Sequence, residues 1–543
     1  MQRRSRRPSR WTALVGTSLR ALLARRIAVL SDHKRWAHET RAIQHQQLRQ
    51  LLTKAQATEY GREHRFERMI AQRTDADLLR AFREGVRPAD YEAFRAMMTR
   101  MREHAEPDVT WPGVVRDWAE TSGTTGGQKY IPVSREMMKS NYRAALDIFA
   151  HASRMGVSLS RLFGGRILFL GGSTSLETNE HGIRTGDLSG LVTPLIRWPL
   201  SEVYSPGPDI ALMSHWPSKI DAMAGLSVDQ DLRGISGMAS WSLVLFEKAL
   251  ELARERDASI KCLRDLWPNL ELFIHGGVKY TPFDRRVRSV WSGSAEIDLP
   301  HRLEVYPASE GFIAMQDTAG DPGLRLNTDI GIFYEFIPLE RIDDPNPEAF
   351  TCDAVERGQR YVVCMTTCAG LWRYVIGDVV EFDTIPPDGP ARLRIVGRHR
   401  HFINAFGENL IVEEIESAVV AACEATGVTV GEFTAAPVYP GEGRAAGLEL
   451  VVEWDAPEVL LGSFGEAFDR ALREKNVDYR TKRTDGLGMA MPTISPVAPG
   501  MFHEWMASRG RLGGQNKCPR SANHREFVEG VLKISASGAM HAE

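Results

Sequence analysis

Apolar positions recur at helical spacing through the early part of the chain, and at strand spacing later. "RWAHETRAIQHQQLRQLLTKAQ" (residues 35 to 56) and "DADLLRAFREG" (75 to 85) set apolar residues three and four apart among charged ones, which predicts helices over much of 35 to 105. From about residue 165 the pattern alternates. "RILFLGG" and "LELFIHGG" are short apolar runs that end in glycine pairs, as buried parallel strands do where they meet loops, and "MASWSLVLFEKALELARERD" between them reads as a helix. Between 325 and 396 closely spaced runs follow, "GIFYEFIPL", "RYVVCMTT", "YVIGDVVEFD" and "RLRIVG", predicting an antiparallel, β-barrel-like section. After Arg398 an amphipathic helix ("ENLIVEEIESAVVAACEATG") and a strand ("GLELVVEW") predict a smaller α+β module. The pattern therefore predicts an α/β protein with three parts: a basic arm or helix at 1–34, a large domain at 35–397 and a small C-terminal domain at 398–543.

Length supports the division, because 543 residues exceed what a single core usually serves. Lysine plus arginine total 67 against 70 aspartates and glutamates, a net charge of −3 that gives the whole chain no electrostatic bias toward nucleic acid. Six cysteines are too sparse for a disulfide framework, which points to a reducing compartment, and the cytoplasm is expected. Cys364 and Cys368 have no second pair or histidine cluster nearby and read as core thiols, not zinc ligands. The N-terminus departs from this balance. Its first 26 residues hold eight arginines and no acidic residue, and Arg20, Arg25 and Arg26 interrupt an apolar run too charged to span a membrane. Two readings stay open there: a docked surface helix, or a segment that contacts a membrane surface or serves targeting.

The densest chemistry lies in "TSGTTGGQKYIPVS", Thr121 to Ser134. Its glycines, hydroxyls and lysine suit a phosphate, but the P-loop pattern fails because Gln128 and Tyr130 stand where it needs glycine and a hydroxyl residue with a metal-facing oxygen. Three further motifs follow in order: "YPASEG" at Tyr306 to Gly311, "WRYVIGDVV" at Trp372 to Val380, and "GRHRHFINAFGENLIVEEIE" at Gly397 to Glu416. The ordered set resembles the acyl-adenylating superfamily of firefly luciferase, acyl-CoA ligases and nonribosomal-peptide adenylation domains. Within it, "ATEYGREHRF", "LWPNLELFIHGG", "YPASEGFIA", "AGLWRYVIGDVVEF" and "HFINAFGENL" resemble the Gretchen Hagen family of acyl-acid amido synthetases, in its bacterial branch.

That resemblance implies an ATP- and Mg2+-dependent enzyme that adenylates a carboxylic acid, releases pyrophosphate and passes the acyl group to the amine of an amino acid. An acyl-CoA ligase or a catalytically silent nucleotide-binding protein are the alternatives. By the resemblance, Ser122, Gly123, Thr124, Thr125 and Gly126 hold the leaving phosphates, with Lys129 as a further candidate. Tyr306 stacks on adenine, Ser309 lines the phosphate and Glu310 holds magnesium. Asp378 takes the ribose hydroxyls, Arg398 adds a ribose or phosphate contact, and Lys517 in "GGQNKCPR" places its ammonium between carboxylate and α-phosphate. The usual G-R-x-K-D hinge is replaced by Arg400 and His401 at its last two positions. The small domain is expected to be mobile, the acyl pocket to draw on 160–245, and the protein to act as a monomer on small molecules.

Overall fold

The computed structural model describes residues 10–121, 129–171, 176–192, 200–213, 216–277, 280–399, 402–403, 410–438, 447–476, 479–480, 483, 489–510, 518–522 and 524–539. Two compact units emerge: residues 1–376 with 380–394, and residues 377–379 with 395–543. The division falls just before the expected break at 397, with a three-residue piece of an earlier strand added to the second unit.

The N-terminal segment is an integral part of the first unit. Helix Arg10–Ser31 buries Leu19, Leu23 and Leu30 among Val157, Leu159, Leu162 and Phe163. Arg26 fixes it by paired bonds to Asp147 (2.8 and 2.6 Å) and Asp329 (2.6 and 3.0 Å). Beyond it, helices Thr40–Ala55, Asp75–Gly85 and Tyr91–Glu103 turn Leu48, Leu52, Phe82 and Phe94 into a core shared with Trp111, Trp118 and Trp372. Sequence sets their starts: the side chains of Thr74, Asp90 and Ser134 cap the first turns of helices Asp75–Gly85, Tyr91–Glu103 and Arg135–Arg154.

Among the described residues, eleven strands form the main sheet. Tyr204–Ser205, Arg166–Phe169, Leu232–Gly237, Leu272–Gly276 and Arg302–Ala308 run parallel in that spatial order. At Arg302–Ala308 the sheet changes character. Its next neighbour, Gly311–Gln316, returns antiparallel, and Leu324–Leu326, Arg392–Arg398, Tyr374–Thr384, Arg360–Thr367 and Ile332–Pro338 follow. The antiparallel section expected from 325 to 396 is thus continuous with the parallel one. Among the described residues its strand order ends at Ile332–Pro338.

Among the described residues, a separate four-stranded sheet, in the order Lys129–Val133, Asp117–Thr121, Arg184–Gly186, Glu177–Thr178, carries the residues that flank 122–128. In the second unit, helices Val412–Thr426 and Leu461–Lys475 pack on strands Val430–Val438, Gly447–Trp454 and Thr493–Val497 around Ile415, Phe433, Leu450, Phe464 and Phe468.

Candidate active site

Ser122, Gly123, Thr124, Thr125 and Gly126 lie outside the described residues, but both strands leading to them are placed. Thr121 pairs with Lys129 in an antiparallel ladder that continues to Asp117 and Val133. Lys129 sits 5.8 Å from the centre of the Tyr91 ring, and the Tyr91 hydroxyl accepts from the Tyr130 amide at 2.9 Å. Strand Lys129–Val133 is therefore held by helix Tyr91–Glu103.

Behind these strands is a group of charges that no motif announced. Glu120 is the next-to-last residue of strand Asp117–Thr121, and Ala119 is in parallel register with Gly186, which brings Asp187 alongside. Burial, helped by the Glu120 carboxylate, pushes the Asp187 carboxyl up to about 7. Burial likewise pulls the Lys219 ammonium down to about 8, with Asp187 working the other way. Lys219 donates to the carbonyls of Ala211 (2.8 Å) and Gly171 (3.4 Å). Asp187 lies within 160–245, the range expected to supply the acyl pocket, but nothing local in the sequence links it to a lysine 32 positions later.

Tyr306, Ser309 and Glu310 occupy the place where the sheet switches from parallel to antiparallel. Tyr306 lies two residues before the end of the last parallel strand and is buried with the main core, while Ser309 and the buried Glu310 form the turn into Gly311–Gln316. Ligands of open α/β sheets gather at such carboxyl ends. Gly311 has φ +155°, and a Cβ there would come within 2.5 Å of Ile332 Cδ1, so only glycine lets the chain turn this closely after Glu310. One strand away, His275 stacks on Tyr280 with centroids 4.3 Å apart. Burial, reinforced by Arg302, pulls His275 down to about 3 and keeps its imidazole neutral.

The "WRYVIGD" segment holds a buried ion pair that the motif does not reveal. Arg373 takes φ +45° and donates to Glu335 (2.8 and 3.2 Å) and to the Val86 carbonyl (2.7 Å). In the strand that follows, Tyr374–Thr384, Gly377 adopts φ +93° with its carbonyl accepting from the His399 amide at 2.9 Å. A Cβ on Gly377 would approach the His399 ring to 3.2 Å. Asp378 and Arg398 then meet directly, Nε to Oδ1 at 2.7 Å. The two residues assigned separate contacts are therefore a pair within the second unit.

Lys517 lies outside the described residues. Its near neighbour Arg520 is anchored: it pairs with Glu432 at 2.6 Å, lies 4.5 Å from the centre of the Phe433 ring, and accepts from the Ala435 amide at 2.9 Å. Among the described residues no group of three acidic, histidine or cysteine side chains could hold a metal ion by itself. A single carboxylate such as that of Glu310 would fit a magnesium ion that arrives with a nucleotide's phosphates, the usual arrangement for that ion. Cys364 and Cys368 are buried, and burial raises both thiols above their ordinary range.

The fold is similar to those of two solved enzymes. Over 92% of this chain and 92% of the other, it superposes on 2-hydroxyisobutyryl-CoA ligase in the postadenylation state with a TM-score of 0.51 and 17% identity. It superposes more fully on the GH3.15 acyl acid amido synthetase in complex with 2,4-DB: TM-score 0.74, 17% identity, 96% of each chain. Models of the GH3 family N-terminal domain, central domain and C-terminal domain match residues 30–197, 326–398 and 413–526. The chain belongs to the GH3 family, the Gretchen Hagen family of the sequence motifs. Among curated relatives, the indole-3-acetic acid-amido synthetase GH3.8 of Oryza sativa subsp. indica is 25% identical over 49% of this chain and 45% of its own. The probable indole-3-acetic acid-amido synthetase GH3.2 of Oryza sativa subsp. japonica is 26% identical over 64% and 54%. The jasmonoyl--L-amino acid synthetase JAR4 of Nicotiana attenuata is 28% identical over 30% and 28%. In sequence, the chain spans about half the length of the first two of these relatives or less.

Proposed function

We propose that this protein is an acyl-acid amido synthetase: it activates a carboxylic acid with ATP, releasing pyrophosphate, and transfers the acyl group from acyl-AMP to the amine of an amino acid. The observation that carries this reading is the position of Tyr306, Ser309 and Glu310 at the carboxyl end of the last parallel strand, in a chain matched by all three GH3 domain models.

In the first step a carboxylate oxygen forms a bond to the α-phosphorus as the bond to pyrophosphate breaks. Two anions approach, so the site must supply aligned donors and positive charge. Ser122 to Gly126 hold the outer phosphates through backbone N–H groups and hydroxyls, with Lys129 beside them at the head of its strand. Glu310 holds magnesium, which neutralises phosphate charge when bound. The Asp378 carboxylate accepts the ribose hydroxyls, oriented by its bond to Arg398. Lys517 offers its ammonium to the carboxylate and α-phosphate. In the second step the amine attacks the acyl carbon, AMP leaves, and an amide remains.

Relatives named for indole-3-acetic acid and jasmonoyl conjugation favour amide over thioester formation. We place the enzyme in the cytoplasm as a monomer. The test is ATP–pyrophosphate exchange across aromatic, jasmonate-like and fatty acids, followed by incubation of the active acid with an amino-acid mixture or CoA. Acid-dependent exchange and an amide product support the reading; a thioester product, or no exchange with any acid, overturns it.

A further inference from the structure

We infer that the outer face of helix Arg10–Ser31 docks on an anionic membrane surface. The helix is fixed with one side inward. Leu19, Leu23 and Leu30 are buried, and Gly16 comes so near helix Leu159–Leu162 that a Cβ would lie 2.2 Å from the Leu159 carbonyl oxygen. Arg26 is spent on Asp147 and Asp329 and is not part of the outer face.

The opposite side is set by this docking and stays in water. Leu22 is 80% exposed and Leu14 53%, two of the few large apolar side chains on the surface of the described residues. Around them lie exposed Ser18, Ala21 and Ala28, with the exposed cations Arg20 and Arg25. In sequence, Arg3, Arg4, Arg6, Arg7 and Arg10 extend the positive charge, and the first acidic residue is Asp32, in a chain that is otherwise net negative. None of the described helices is long and apolar enough to cross a membrane, so the helix would lie on the surface and not span it.

Charge and apolar exposure together select the occupant. A nucleic acid would be met by the arginines alone and gains nothing from exposed leucines, which cost solubility where they stand. Anionic headgroups take the arginines while the leucines enter the acyl boundary beneath, the arrangement of interfacial helices. Each arginine near such a surface contributes about fivefold to partition. Each methylene removed from water adds about fourfold.

The test is co-sedimentation of the full-length protein with vesicles of phosphatidylcholine alone or mixed with phosphatidylserine. We expect binding to the anionic vesicles that falls with added salt. Arg20→Glu with Arg25→Glu should weaken it by about twentyfold or more. Leu14→Ser with Leu22→Ser should weaken it by about tenfold or more. All four side chains are exposed, and thermal melts of both variants should match the parent. No binding to anionic vesicles, or equal binding to both compositions, overturns the inference. So does parent-like vesicle binding by the leucine variant together with its displacement by polyuridylate, which would mark a surface for polyanions.

Discussion

Glu335→Gln tests the least visible part of the account, because it removes one buried charge and leaves nearly the same shape. Glu335 is 1% exposed and serves two cations: Arg373, 2% exposed, through both oxygens, and Arg83, 31% exposed, through Oε1 at 2.8 Å. With glutamine, one oxygen remains to accept. The amide nitrogen faces the other guanidinium donors, and two cations are left with no anion. Losing one partner of a buried ion pair costs about 3–5 kcal/mol. Arg373 cannot escape to solvent, since its left-handed backbone and its bond to the Val86 carbonyl hold it in place. Arg83→Gln should cost less, because Arg83 reaches solvent and its loss leaves the Glu335–Arg373 pair intact. The measurement is urea unfolding followed by the fluorescence of the first unit, whose core contains Trp111, Trp118 and Trp372. A loss below about 1 kcal/mol for Glu335→Gln, or one no larger than that of Arg83→Gln, would refute the buried network.

Other expectations follow from the same geometry. His275 is held neutral with its pKa depressed from 6.5 to about 3, so between those values the unfolded chain binds the proton first. Its contribution to stability is present above pH 6.5 and lost as pH falls toward 3, by up to about 1.4 kcal/mol per pH unit. His275→Phe should flatten that part of the stability profile in denaturant titrations, and an unchanged slope would show that the imidazole is protonated in place. Asp378→Asn should weaken nucleotide binding about ten- to a hundredfold in calorimetry while leaving the melt near the parent's, because Asp378 is only partly buried in its pair with Arg398. Equal affinity would remove Asp378 from the site. Lys517→Ala should slow acyl-AMP formation several hundredfold, on the order of the loss when one preorganised donor is deleted. Supplied with presynthesised acyl-adenylate, the variant should still form amide at near the parent rate; equal loss in both steps would show that Lys517 serves throughout or merely supports the fold.

Much of this architecture was legible because its signals are local. The parallel strands at Arg166–Phe169 and Leu272–Gly276, the helix at Ala239–Arg256 and the antiparallel runs after residue 325 each declare themselves in a short stretch of apolar spacing. Motif order singled out Tyr306, Glu310 and Asp378 as candidates for the same reason. What stayed hidden depends on distant partners. Glu335 and Arg83 are 252 positions apart, and Arg26 meets Asp329 across 303. The continuity of the two sheet halves was also hidden, because strand edges carry no local mark of which neighbour they take. Asp187 and Lys219 met through the register of a small sheet and the packing of a separate helix, neither of which spacing alone encodes.

The most direct test of the central claim follows oxygen. If a carboxylate oxygen attacks the α-phosphorus, an acid labelled with 18O in both positions must leave one heavy oxygen on AMP when the amide forms. Turnover of the acid found by the exchange screen, with ATP and an amino acid, should give 18O-labelled AMP and unlabelled pyrophosphate by mass spectrometry. Label in inorganic phosphate with ADP as co-product, or AMP without label, would contradict an acyl-adenylate route.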